Sequence, residues 1–180
     1  MCLPDVAVLH NDINQDIDIL RSIFLSSFKE LTFHGTHISV KRTPIHNICE
    51  CQIEESLWHM ISKEGKNKQR CYLPERAKTI TWFEPVLRNA YDCCAQTRCW
   101  WDRQARSQRN GLASRLHIYF VKQNQDGDIF RYLIVLEDKR KYYQLVSAYP
   151  VTQKHKIDSL EKDIKNAYKV YEVRKTCSCS

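Results

Sequence analysis

Three β-rich runs in the last third of the chain constrain the fold most. They read SRLHIYFVKQ, DIFRYLIVLEDK and KYYQLVSAYPV, and all three are rich in β-branched and aromatic residues, which favour strands. The short polar segments NQDGD and DKRK separate them, and both have the length of a hairpin connection. We therefore predict an antiparallel meander of at least three strands.

Helical patterns precede and follow these runs. Near the N-terminus, apolar residues recur at steps of three and four, which predicts an amphipathic helix ended by Gly35. The members of this stripe are Ile13, Ile17, Leu20, Phe24, Phe28 and Leu31. A second stripe after the meander consists of Ile157, Leu160, Ile164 and Tyr168. Helices followed by a meander indicate an α+β fold, with N-terminal helices packed on a curved antiparallel sheet and a C-terminal helix, and we expect the helices to lie on one face of the sheet.

Two segments between these patterns are less regular. THISVKR alternates as a short strand would, and CQIEESLWHMISKE is a short helix or an irregular turn. Residues 78–111 begin with a β-prone run, and we predict that they continue through Pro85 into a helix that Gly111 closes near clustered arginines.

Length and charge narrow the function classes. A chain of 180 residues predicts one domain, with a core over about residues 15–165 and a frayed C-terminal tail. The 28 Lys and Arg against 21 Asp and Glu give a net charge of +7. This suits nucleic acid first and an anionic membrane second, with a solubilising surface as the alternative. No apolar stretch approaches the ~20 residues of a membrane span, and the N-terminus lacks the features of a signal peptide, so a cytoplasmic protein is expected.

Nine cysteines leave at least one thiol unpaired, and no two of them have the C-x-x-C spacing of a metal or redox motif. Reduced thiols are expected, although a Cys–His nucleophile pair stays open. Neither a phosphate-binding glycine motif nor H-E-x-x-H occurs. We expect no metal, no small-molecule cofactor and no membrane partner.

His59 is the first candidate for chemistry. It lies between Trp58 and Met60 and is followed by Lys63, Lys66, Lys68, Arg70, Arg76 and Lys78. Cleavage of a phosphodiester without metal needs a proton carrier and cations for the developing charge, and these residue types supply both. Nearby cations would lower the pKa of the histidine and keep it neutral as a base. The alternative is a helix-borne histidine beside a solvated basic face.

Two strands add further candidates. Ser147 and Tyr149 share one face of a strand because side chains alternate, and Pro150 ends that strand. Arg115, His117 and Tyr119 alternate in the same way, which suits a groove where aromatic rings stack on RNA bases. Solvent exposure explains both patterns as well.

The order of these motifs resembles a known family. The segments read VKRTP, LWHMIS, RCYLPER, TWFEP, CWWDRQAR, SRLHIYF, RYLIVLEDKRKYYQLVSAYPV and HKIDSLEKD. Over roughly residues 15–165 their order is similar to that of the phage-type nucleases of the barnase–EndoU–colicin–RelE-like superfamily. The resemblance implies a metal-independent ribonuclease fold with N-terminal helices followed by a curved antiparallel sheet.

The resemblance also implies a site. Its histidine would be His59, its basic pair Arg70 and Arg76, and its late hydroxyl Ser147, with Tyr149 as a second hydroxyl. Lys63, Lys66 and Lys68 compete for the phosphate, and Arg115, His117 and Tyr119 would contact the substrate. A toxin-like endoribonuclease follows, with tRNA as one candidate target, an immunity protein as a candidate partner, and a 2′,3′-cyclic phosphate as product. The alternative is a catalytically inactive basic module that binds RNA or protein.

Overall fold

The protein has a mixed α+β architecture, as predicted. The computed structural model describes residues 3–45, 52–91, 97–105, 112–167 and 169–170. The sheet is curled and mostly antiparallel, and helices precede and follow its strands along the chain. The α-helices are α1 (Ile13–Ser27), α2 (Glu55–Ile61), α3 (Pro74–Ala77), α4 (Phe83–Tyr91) and α5 (Lys154–Lys165), and a 3-10 helix covers Ile80–Trp82.

Seven strands form the main sheet, and two short hairpins lie outside it. The sheet strands are β1 (Thr32–Phe33), β2 (Thr36–Ser39), β7 (Thr97–Ala105), β8 (Leu112–Gln123), β9 (Ile129–Asp138), β10 (Tyr143–Pro150) and β11 (Lys169–Val170), in the order β1-β2-β10-β9-β8-β7-β11. The hairpins pair β3 (Pro44–Ile45) with β4 (Ile53–Glu54) and β5 (Ser62–Glu64) with β6 (Arg70–Tyr72).

The predicted meander of β8, β9 and β10 is confirmed. All neighbouring pairs in the main sheet are antiparallel except β2 and β10, which run parallel where Ile38 and Ser39 lie opposite Tyr143 and Gln144. β2 was predicted as a strand from its alternation, but its parallel place beside β10 was not. The amide Nε2 of Gln144 donates to the carbonyl of Ser39 at 2.9 Å and fixes this junction.

Residues 78–111 do not form the predicted strand and long helix. Their start is the 3-10 turn Ile80–Trp82, α4 ends at Tyr91, and Thr97–Ala105 is strand β7, paired with β8 along its whole length. Pro85 fits in the first turn of α4, where its missing N–H would have no intrahelical partner. Gly111, Arg106 and Arg109 lie outside the described residues.

Gly35 does not end the first helix, because α1 already ends at Ser27. Gly35 and His34 instead form the two-residue turn between β1 and β2, and both have positive φ, at 76° and 48°. Mirror-image turns of this kind match the twist of a hairpin. The predicted C-terminal helix is confirmed as α5, and Tyr168 lies outside the described residues.

Each face of the sheet carries its own apolar cluster. Leu20 and Phe24 of α1 are fully buried in the larger cluster, together with α2, α4 and one face of the strands. Leu160 of α5 is fully buried in the smaller cluster on the other face, beside Trp100 and Tyr119. Helices therefore cover both faces, and the expectation that they lie on one face is wrong, because α5 crosses to the face opposite α1 and α4.

The neighbour of β10 on its outer side changes part-way along the strand. β2 pairs only with Tyr143 and Gln144, whereas β10 continues to Pro150 against β9. Beyond β2, helices α2 and α3 contact β10. The register of β10 against β9 shifts between Leu145 and Ser147, which is the mark of a β-bulge. This junction positions the side chains of the candidate site.

Candidate functional site

The end of α2 lies against β10 at His59. The main-chain carbonyl of His59 accepts a hydrogen bond from the Ser147 hydroxyl at 3.4 Å and another from Nη2 of Arg70 at 3.3 Å. The His59 ring lies beside the backbone of Val146, the residue between the two ends of the register shift. Helix α2 and the bulged part of β10 are therefore joined through one residue.

Ser62 joins both arginines to the same helix end. It is fully buried, and its hydroxyl donates to the Trp58 carbonyl while accepting from Nε of Arg70 at 2.9 Å. Its carbonyl accepts from Nη2 of Arg70 at 3.0 Å and from Nη1 of Arg76 at 2.7 Å. Because both guanidinium groups share one carbonyl, they are held side by side.

Arg76 also stacks on Tyr149. The guanidinium carbon lies 4.1 Å from the ring centroid, the geometry of a cation–π contact. Burial raises the pKa of the Tyr149 hydroxyl, and Arg76 opposes that shift. Burial also lowers the pKa of Arg76. An arginine stays charged at physiological pH even so, which leaves a fixed cation over a neutral phenol.

The His59 imidazole is held neutral. Burial lowers its pKa most, and the charge of Arg70 lowers it further. Glu55 opposes this shift, Lys41 adds a smaller lowering, and the Val146 backbone raises the pKa least. A neutral imidazole keeps one unprotonated ring nitrogen as a proton acceptor in either tautomer.

The structure brings together the five residues predicted as catalytic. We call them, with Ser62, the His59 cluster: His59, Ser62, Arg70, Arg76, Ser147 and Tyr149. All except Ser62 are partly exposed. They come from α2, the β5–β6 hairpin, α3 and β10, so the sequence distance between them is bridged by the edge of the sheet.

The three predicted lysines lie on the hairpin that carries Arg70. Lys63 is on β5, and Lys66 and Lys68 are in the turn before β6. All three are exposed. Glu64 of β5 pairs with Arg70 of β6 as the last pair before this turn, so the turn directly adjoins Arg70 of the His59 cluster. The hairpin therefore extends the positive charge of the cluster into solvent.

Of the three predicted substrate contacts on β8, His117 and Tyr119 are buried and Arg115 is partly exposed. Arg115, His117 and Tyr119 do share a face, but it is the face that α5 covers, and His117 and Tyr119 are only 8% and 3% exposed. The His117 ring lies 5.0 Å from Trp100 and not in an open groove. Through Val135 and Leu133 of β9, His117 and Tyr119 lie in the same rows and on the same sheet face as Ser147 and Tyr149, two strands away. Because His117 and Tyr119 are buried there, we assign them no base-stacking role.

Sequence reasoning gave no role to Ser62, although it ends the segment LWHMIS. It also missed a buried carboxylate, Asp16 of α1, which accepts from the His10 main-chain N–H at 2.7 Å and from the Tyr72 hydroxyl at 2.8 Å. Burial opposes ionisation of Asp16, but these hydrogen bonds outweigh it and hold the pKa below its usual value. The sequence signal that could have revealed Asp16 is an acidic residue next to the apolar positions of the predicted N-terminal helix.

The cysteines and the acidic residues do not form a metal centre in the part of the chain that the structure describes. Within it, no group of three or more His, Cys, Asp or Glu side chains is arranged to hold a metal ion. Cys71 is exposed and Cys99 is buried, and the other cysteines lie outside the described ranges.

Across the same described residues, no helix combines the length and the apolar character needed to cross a membrane. Comparison of the chain with protein-family models, with curated proteins and with solved structures found no match.

Proposed function

We propose that the protein is a metal-independent endoribonuclease whose active site is the His59 cluster. The observation that supports this is the meeting of one neutral imidazole with two guanidinium groups at the edge of β10. A base and fixed cations are the parts that transfer of a phosphoryl group to a neighbouring hydroxyl requires.

In the proposed reaction the unprotonated ring nitrogen of His59 takes the proton of a ribose 2′-hydroxyl. The 2′-oxygen attacks the adjacent phosphorus, and the bond to the 5′-oxygen breaks. The leaving 5′-oxygen takes up a proton from solvent, which gives a 2′,3′-cyclic phosphate and a 5′-hydroxyl end. Among the hydrogen bonds of the described residues, Nη1 of Arg70 and Nη2 of Arg76 are unused. They can therefore donate to the phosphate oxygens as charge develops.

The lysine hairpin and the charge of +7 fit the same substrate. An RNA strand that reaches the His59 cluster would pass Lys63, Lys66 and Lys68, and each lysine would replace counterions on the phosphate backbone. As further parts of this proposal, the protein acts in the cytoplasm and is restrained there by an immunity protein that covers the basic surface.

A second candidate function is a binding module without catalysis. It is favoured by the hydrogen bonds themselves, since Arg70, Arg76 and Ser147 all donate to main-chain carbonyls. On this alternative the cluster fixes α2 to the sheet edge, and RNA binds only to the exposed cations.

One substitution separates the two functions. His59→Gln keeps a polar side chain of similar size beside Val146 but cannot take a proton at neutral pH. In EDTA we expect wild type to cleave RNA and His59→Gln to cleave at least about 100-fold more slowly, because a general base contributes about 10²–10⁴-fold. His155→Gln, on the exposed side of α5, is the matched control.

Mass spectrometry of the fragments should show cyclic phosphate ends, and a single 2′-deoxy substitution at the cleaved position should stop the reaction. If both proteins bind RNA and either cleave it at the same rate or do not cleave it at all, the ribonuclease is rejected and the binding module is supported.

A further inference from the structure

A half-open cleft lies beside the His59 cluster, at the far end of β9 and β10. Its volume is about 360 Å³, within the range of ~300–1,000 Å³ typical of small-molecule sites. Glu75 of α3 and Trp82 line one side, and Phe130, Arg131 and Pro150 line the other. None of these residues belongs to the proposed catalytic set.

The apolar part of the cleft suits a flat ring. Trp82 and Phe130 meet edge to face, with ring centroids 5.7 Å apart and planes at 83°. The indole N–H of Trp82 donates to the Pro4 carbonyl at 3.0 Å, which fixes the orientation of that ring. Pro150 and Val151 complete the apolar lining. A rigid aromatic corner of this kind binds planar ligands at low entropic cost.

The polar part of the cleft supplies the carboxylate of Glu75 as an acceptor. Arg131 also lines the cleft, but its guanidinium lies near the Tyr119 hydroxyl. A planar ligand with hydrogen-bond donors along its edge is therefore favoured. Nucleobases have this chemistry, and a carboxylate prefers bases with an exocyclic amino group.

The cleft and the His59 cluster share two elements. Glu75 immediately precedes Arg76 on α3, and Tyr149 immediately precedes Pro150 on β10, so each pair is separated by a single Cα step of about 3.8 Å. Arg76 and Tyr149 form the cation–π contact of the cluster, whereas Glu75 and Pro150 line the cleft. A nucleotide with its phosphate at Arg76 can thus place its base in the cleft.

We propose that this cleft is a nucleobase subsite that selects adenine, guanine or cytosine over uracil at the nucleotide next to the cleaved bond. The inference rests on the proposed ribonuclease function for its biological role, but binding of a nucleoside can be measured without any cleavage. Glu75 acts as the selecting residue, and Phe130, supported by the largely buried Trp82, holds the ring.

The test titrates the full chain with adenosine, guanosine, cytidine and uridine, observed through the indole N–H signal of Trp82 in NMR spectra. The three amino-bearing nucleosides should shift this signal at lower concentration than uridine. Glu75→Gln should weaken their binding about tenfold, as loss of a charged acceptor predicts, and leave uridine within about twofold. Glu161→Gln, exposed on α5, is the matched control and should change nothing.

Several results would overturn the subsite. They are no shift of the Trp82 signal with any nucleoside, the same shift with inorganic phosphate alone, or equal losses in Glu75→Gln and Glu161→Gln. Phe130→Leu gives a second check, since it should weaken all four nucleosides together. Nucleoside binding without RNA cleavage would reject the ribonuclease and keep the subsite, whereas cleavage that depends on His59 without nucleoside binding would do the reverse.

Discussion

At the scale of single residues, Ser62 decides whether the two arginines can act together. Its hydroxyl and its carbonyl receive three of the guanidinium hydrogen bonds, although the side chain itself is fully buried. A hydrogen bond from a charged donor to a buried acceptor contributes more free energy than a bond between neutral groups. When that acceptor is removed, the donor stays desolvated without a hydrogen-bond partner. Ser62 is therefore a positioning residue for Arg70 and, through its backbone, for Arg76.

We predict that Ser62→Ala lowers the free energy of unfolding by about 1–3 kcal/mol, because Nε of Arg70 loses its acceptor in a buried place. Ser26→Ala is the control, since the Ser26 hydroxyl donates only to the Ile23 carbonyl on the exposed side of α1. Urea unfolding followed by circular dichroism measures both. Equal losses in the two variants would show that Arg70 does not depend on Ser62.

The residue types of the site could be predicted from sequence, but their arrangement could not. His59, Arg70 and Arg76 stand out as a ring followed by cations, and Ser147 as a hydroxyl near a strand end. Which carbonyls they contact depends on where β2 leaves β10 and on the register shift before Ser147. Neither feature has a local sequence signal, because both arise from pairing between distant segments.

At the scale of elements, the β-rich runs and amphipathic helices were predictable because each buries a periodic set of residues. Strand β7 was missed, although Trp100 and Trp101 pack against opposite clusters as alternation requires. The charged residues that follow made the segment look helical. The parallel pairing of β2 with β10 could not be predicted from sequence patterns, because it joins Ser39 to Gln144, which are far apart in the chain.

The hairpin of β5 and β6 is the element we expect to set the affinity for RNA. Replacement of Lys63, Lys66 and Lys68 by Gln should make the plot of log K against log salt concentration less steep by up to about 2, because each phosphate that a lysine neutralises on a single strand adds about 0.7 to the slope. Binding of a 2′-O-methyl RNA, which has no free 2′-hydroxyl, can be measured by fluorescence anisotropy at several salt concentrations.

A matched triple variant on α5 replaces Lys154, Lys162 and Lys165, which are also exposed. It removes the same net charge from another element. If both triple variants flatten the plot equally, RNA responds to net charge alone, and the hairpin has no special place in binding.

At the scale of the whole molecule, the buried ionisable groups link stability to pH. Burial lowers the pKa of His34, and burial with nearby cations lowers that of His59. An unfolded histidine titrates near 6.5, so below that value the unfolded chain binds more protons than the folded one. The contribution of both groups is fully present above about pH 6.5 and is lost as pH falls through the folded pKa values. Asp16 adds a loss of the same sign at lower pH, because its folded pKa lies below its usual 3.8.

We therefore predict that the free energy of unfolding falls between pH 7.5 and pH 5, and that the double variant His34→Gln/His59→Gln loses less over this interval than wild type. Urea unfolding at both pH values gives the two differences, and each is compared within one protein so that any general destabilisation by the substitutions cancels. His155→Gln controls for removal of an exposed imidazole. Stability that rises on acidification, or a double variant with the full loss, would show that neither of these partly buried imidazoles controls the pH dependence. In that case the neutral state of His59 on which the proposed base depends would also lose its support.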